Sequence, residues 1–144
     1  MHRQEALTHH GYHFISLSAK GTALTTLIVL PGEPKSTSHI YKMTCRNGYA
    51  HMYLSQEGKN IKQQYIAQAR KQWKRKLLTG DLQVAIKLFF GTKRKCDWDN
   101  FHKLSMDALE GIVWENDNQI QEADVCKFYD KQNPRIEIVV NSLP

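Results

Sequence analysis

The sequence predicts an α+β fold: a single domain with a mixed β-sheet and two main helices packed on it. Three observations carry that reading. Leu82–Phe90 alternates with period two, placing Val84, Ile86, Leu88 and Phe90 on one face and Gln83, Ala85, Lys87 and Phe89 on the other. Ile61, Tyr65, Ala69, Trp73 and Leu77 recur every four residues, the buried stripe of a long helix. Arg135–Val140 alternates again, with Ile136, Ile138 and Val140 on one side. A length of 144 residues suits one core.

Residues 1–22 carry His2, His9, His10 and His13 without ligand spacing, and read as a poorly ordered extension before a domain over residues 23–144. Leu24–Leu30 is the first strand, ended by Pro31-Gly32-Glu33-Pro34. A polar stretch with Ser36, Thr37 and Ser38 follows. Asn47-Gly48 turns the chain into a second strand, Tyr49–Leu54. Ser55 caps the long helix, which runs to about Leu78 and stops at Thr79-Gly80-Asp81. The Leu82–Phe90 strand comes next. Asp99 or Asn100 then opens a second helix ending near Gly111, with Phe101, Leu104, Ala108 and Leu109 as its core side. Val125–Phe128 and Arg135–Val140 complete the order β-β-α-β-α-β-β.

Net charge is +6, unevenly spread. Residues 1–96 hold 16 Lys/Arg against 4 Asp/Glu, a balance of +12, and residues 97–144 hold 4 against 10, a balance of −6. Such a division is either a solvated basic face or a basic clamp around an acidic centre, and it favours an anionic partner. Cys45, Cys96 and Cys126 are odd in number and dispersed, which argues against a disulfide framework or a zinc site and fits a reducing, cytoplasmic compartment. The longest apolar run, Ala23–Leu30, is far short of the roughly 20 residues that span a bilayer, so no membrane partner is expected.

The chemistry concentrates in Lys93-Arg94-Lys95-Cys96-Asp97-Trp98-Asp99-Asn100-Phe101-His102-Lys103. In an extended segment Asp97 and Asp99 point to the same side. Lys103 and Asp107 follow at four-residue steps, so a helix opened by Asp99 would line up all three and point Lys103 back over the acids. Hard cations such as Mg²⁺ take carboxylate oxygens together with water and phosphate, and one or two of them can run an in-line displacement at phosphorus. Lys103 could then stabilise charge developing on the phosphate. Plainer roles exist: a D-x-D pair can simply cap a helix, Lys103–Asp107 can be an ordinary helix ion pair, and Asp117 a turn residue. The D-x-D lacks the glycine and distal glutamate of an EF-hand, and no H-E-x-x-H, Walker A loop or G-x-G-x-x-G occurs.

Asp97-Trp98-Asp99-Asn100-x-x-Lys103-x-x-x-Asp107-Ala108-Leu109, followed by Gly111-Ile112-Val113-Trp114-Glu115-Asn116-Asp117-Asn118-Gln119-Ile120, resembles the RusA family of Holliday junction resolvases. The likeness extends over about residues 24–140, through Tyr53-Leu54-Ser55 and the Arg135-Ile136-Glu137-Ile138 strand. It implies a small homodimeric endonuclease of bacteria or their phages that uses Mg²⁺, with Mn²⁺ able to substitute, to nick opposing strands of four-way junction DNA. It places Asp97, Asp99 and Asp117 on the family's metal-binding catalytic acids and Lys103 on its essential lysine. Asn116 stands where family members often carry another acid, and Ser36, Thr37 and Ser38 where they often carry an asparagine.

DNA binding is expected from Lys93, Arg94 and Lys95 beside the acids, and from Arg70, Lys71 and Lys74 on the long helix, where a solvated face is the plain alternative. Trp98 is expected to pack on a neighbouring strand in preference to stacking on a base. Two other classes compete with the nuclease. A module that binds junctions without cutting would tolerate loss of the acids, and a D-x-D nucleotide-sugar transferase would need a longer chain with βα repeats.

Overall fold

The computed structural model describes residues 25–93 and 95–144. The expected extension at 1–22 lies outside the described residues. The chain runs β1 (Thr26–Pro31), α1 (Thr37–Ile40), β2 (Tyr41–Arg46), β3 (Tyr49–Leu54), α2 (Gln56–Gln72), β4 (Leu82–Phe90), α3 (Lys103–Leu109), β5 (Ile120–Tyr129) and β6 (Arg135–Ser142), with 3₁₀ turns at Trp98–Asn100 and Asp117–Gln119.

The main sheet is mixed, as the sequence predicts, in the order β1-β6-β4-β5. β6 is antiparallel to both β1 and β4, while β5 runs parallel to β4. Its buried face is the one given by the alternation: Val84, Ile86, Leu88 and Phe90 of β4, Ile136, Ile138 and Val140 of β6, and Ile28 and Leu30 of β1. Tyr65, Ala69 and Trp73 from α2 and Leu104, Ala108 and Leu109 from α3 belong to the same core, with Val113 and Trp114 from the turn after α3. Helices therefore cover one face of the sheet, and the α+β expectation holds. Among the described residues no helix is long and apolar enough to cross a membrane.

Four local expectations are corrected. The polar stretch after β1 is not merely loop: Ser36 caps the short α1, its hydroxyl accepting from His39 N at 3.2 Å. β2, unforeseen, pairs with β3 as a separate hairpin. α2 starts behind the Ser55 cap but ends at Gln72, not Leu78. Beyond it the chain is drawn into a bridge between Leu78 and Trp114, with Leu78 N donating to Val113 O at 2.8 Å, so Leu77 leaves the stripe and is exposed. The second helix opens at Lys103, not at Asp99 or Asn100. Phe101 turns inward to meet the Phe90 ring edge-on at 5.0 Å, and that inward turn separates the Trp98–Asn100 turn from α3.

Gly58, in the first turn of α2, is buried against the end of the hairpin. A Cβ there would sit 2.6 Å from Leu54 Cδ1, 2.9 Å from its Cγ and 3.2 Å from Ile40 Cβ. Alanine normally gains up to about 1 kcal/mol over glycine within a helix, whereas overpacking costs about 1–3 kcal/mol. Gly58→Ala is expected to destabilise by about 1 kcal/mol in urea unfolding; a stabilised variant would show that Leu54 yields freely.

Candidate active site

β4 hands the chain from the core to the basic run. Lys93 places its ammonium over the Tyr129 ring at 5.0 Å, and Lys95 is exposed. Arg94 lies outside the described residues. Lys127 of β5 donates to Cys96 O at 2.6 Å, which fastens the acid-bearing loop to the sheet edge. Thr37 Oγ1 donates to Asn100 O at 2.9 Å and ties the same loop to α1. Neither tether was foreseen, because each joins residues more than 30 positions apart. Between loop and α1 lies a cavity of about 310 Å³ lined by Glu33, Lys35, Ser36, His39, Lys95, Cys96 and Phe101. Glu57, from α2, holds its rim: His39 Nε2 lies 2.8 Å and Lys35 Nζ 3.6 Å from its carboxylate, and the His39 bond in particular keeps that carboxyl below its ordinary range.

Asp97 precedes the 3₁₀ turn without capping it, and Asp99 lies within the turn. Both are exposed, and among the described residues neither carboxylate has a hydrogen-bond or ion-pair partner. Trp98 lies between them, in a turn that runs alongside β5. It is 58% exposed and lies parallel to the His102 ring, centroids 6.3 Å apart.

Lys103 points toward the far end of α3, not back over the two acids. Its ammonium lies 3.2 Å from Asp107 Oδ2 and 5.7 Å from the centre of the Tyr41 ring. Tyr41 Oη donates to the same Asp107 oxygen at 2.8 Å. Burial, together with the Asp107 carboxylate it faces, raises the Tyr41 hydroxyl above its ordinary range, so it stays protonated as a donor. Lys103 is thus held by a carboxylate that is itself held by a tyrosine from the hairpin.

Asp117 opens the turn before β5. Trp114 Nε1 donates to its Oδ1 at 2.7 Å, and its own N–H donates to Glu110 Oε2 at 3.1 Å. Burial raises its carboxyl, with Glu110 and Asp107 adding to the rise and the Trp114 bond opposing it. Asn116 uses its side-chain oxygen to accept from Asn118 N at 2.9 Å, while Gln119 Oε1 accepts from the N–H groups of Glu115 and Asn116. Asn116 therefore shapes this turn.

Carboxylates of this kind suit a hard divalent cation. The structure does not gather them: among the described residues no group of three or more His, Cys, Asp or Glu side chains is placed to hold a metal. Asp117 lies within electrostatic reach of Glu110 and Asp107, whereas the loop of Asp97 and Asp99 is fastened to β5 at Lys127. Arg70 and Lys71, in the last turn of α2, and Lys74 beyond it are all exposed.

Residues 31–141 match the family model described as Endodeoxyribonuclease RusA. The chain is also similar to a Bacillus subtilis (strain 168) protein described as Uncharacterized protein YqaN, at 25% identity over 119 residues, covering 68% of this chain and 83% of that protein.

Proposed function

The chain belongs to the RusA endodeoxyribonuclease family, and from that premise we propose that it is a metal-dependent, structure-selective endonuclease that resolves four-way DNA junctions by paired nicks. The observation that carries the reading is the run Asp97-Trp98-Asp99-Asn100 with Lys103 and Asp117, all inside the matched residues. Open carboxylates beside Lys93 and Lys95 suit a phosphodiester and a hard cation, which soft-ligand sites do not. Asp97, Asp99 and Asp117 would hold Mg²⁺ or Mn²⁺, an ion that supplies activation of water and neutralisation of phosphate charge when bound. Lys103, oriented by Asp107 and Tyr41, offers a cation to the phosphate. A homodimer acting in a bacterial cytoplasm suits this reading, because two sites related by a two-fold axis match a two-fold junction.

One observation favours the second reading, a junction binder that does not cut: the three acids are not gathered in advance. The test is cleavage of a labelled four-way junction with Mg²⁺ beside a linear duplex of matching sequence. Paired symmetric nicks in the junction alone, lost on chelation, support the resolvase. Tight binding with no nick in Mg²⁺ or Mn²⁺ moves the assignment to the binder.

A further inference from the structure

The hairpin of β2 and β3 has two chemically different faces. Residues directly opposite in an antiparallel pair share a face, so the register puts Tyr41, Met43 and Cys45 with Leu54, Met52 and Ala50 on one side. Lys42, Thr44 and Arg46 with Tyr53, His51 and Tyr49 occupy the other. On this second face Lys42, Arg46 and His51 are exposed, Tyr49 is 73% exposed and Tyr53 50%. Lys42 and Arg46 make no ion pair among the described residues. The face has two unneutralised cations, each directly across from a tyrosine, and no acid.

Two solvated cations alone would be an ordinary surface. Interleaved exposed tyrosines are not, because rings of that size at that exposure gain little from water and gain much from a polyanion with flat or apolar groups. The hairpin is also rooted in the candidate site, since its first residue, Tyr41, donates to Asp107 beside Lys103. From Lys42 to Arg46 the ribbon spans about 14 Å, or roughly four base-pair steps at about 3.4 Å each. A two-stranded ribbon of this kind fits a DNA groove.

We propose that the Lys42–Arg46–Tyr49–Tyr53 face of the hairpin binds one duplex arm of the DNA substrate, with Lys42 and Arg46 on phosphates and the tyrosines against the strand between them. The proposal rests on the endonuclease reading above and adds a binding surface that neither the basic run nor α2 provides.

The test measures junction affinity across a salt series, without divalent metal, for the wild-type chain, K42A/R46A and Y49A/Y53A. The salt slope falls by about 0.9 for each phosphate that a cation no longer neutralises, so K42A/R46A is expected to flatten it by about 2 and weaken binding roughly 10- to 60-fold at 0.1 M salt. Y49A/Y53A is expected to weaken binding with the slope kept. Wild-type slope and affinity in K42A/R46A would overturn the proposal and leave the endonuclease reading standing. An unchanged slope with altered sedimentation would also overturn it and make the hairpin an interface between copies of the chain. A wild-type chain that binds no junction at all would bring down both.

Discussion

Asp99→Asn is expected to cut junction cleavage by at least about 100-fold while leaving junction affinity unchanged or slightly improved. The asparagine keeps the shape of the side chain and removes only its charge. Residues that merely support a metal ligand are worth roughly 10–100-fold, so loss of a carboxylate proposed to hold the metal itself should exceed that range. Binding should survive because a carboxylate beside a phosphate opposes DNA, and its neutralisation removes a repulsion. Folding should survive as well: Asp99 is exposed and makes no hydrogen bond among the described residues, and such a surface change falls within about 0.5 kcal/mol. Single-turnover cleavage, read beside fluorescence anisotropy on the same junction, checks both halves. Joint loss of cutting and binding, with a changed melting curve, would mean that Asp99 supports the turn and not the chemistry.

Trp114→Ala is expected to produce the largest loss of stability. Trp114 is fully buried, bridges to Leu78 and Glu110, and lies in the core shared by both helices and the sheet. Removing a buried tryptophan costs about 3–5 kcal/mol, a large part of the roughly 5–15 kcal/mol available to a domain. It also strips Asp117 of the indole N–H that favours its charged form. Trp114→Phe separates the two effects, since it keeps most of the buried ring and deletes the donor. Urea unfolding should place the phenylalanine variant much nearer the wild type than the alanine variant. Equal losses would assign the stability to the hydrogen bond instead of the buried surface.

Much of this was legible in the residues, for identifiable reasons. β4 and β6 announce themselves because one face is buried and the other half-buried, so the alternation is regular. The Ser55 cap was readable from one residue. β5 was expected only over Val125–Phe128 but begins at Ile120: as an edge strand its first half, Gln121–Asp124, is exposed and carries no apolar signature. β2 was hidden for the same reason, its side chains being mostly solvent-facing. The end of α2 was misread because Trp73 and Leu77 continue the four-residue spacing, although only Trp73 is buried. In the site, the acids and Lys103 stood out by motif, but their partners did not. Tyr41 meets Asp107 across 66 positions, and nothing local to either residue signals the other. Trp114 to Asp117, only three apart, was within reach of sequence reasoning and would have been found by asking which donor a buried indole uses.

β1 and β6 lie at opposite ends of the described chain, Thr26 pairing with Val140. A nascent chain emerging from the ribosome therefore holds β4 and the acid-bearing loop long before it holds the strand that seats them, because β6 also flanks β4. The sheet is completed only once β6 has been made, a topology of distant partners that folds slowly. A product lacking residues 135–142 would carry every candidate catalytic residue and still leave β1 without a neighbour and β4 with one open edge. Such a fragment is exposed to aggregation and proteolysis, so a frameshift just ahead of β6 would be as damaging as loss of Asp99 itself.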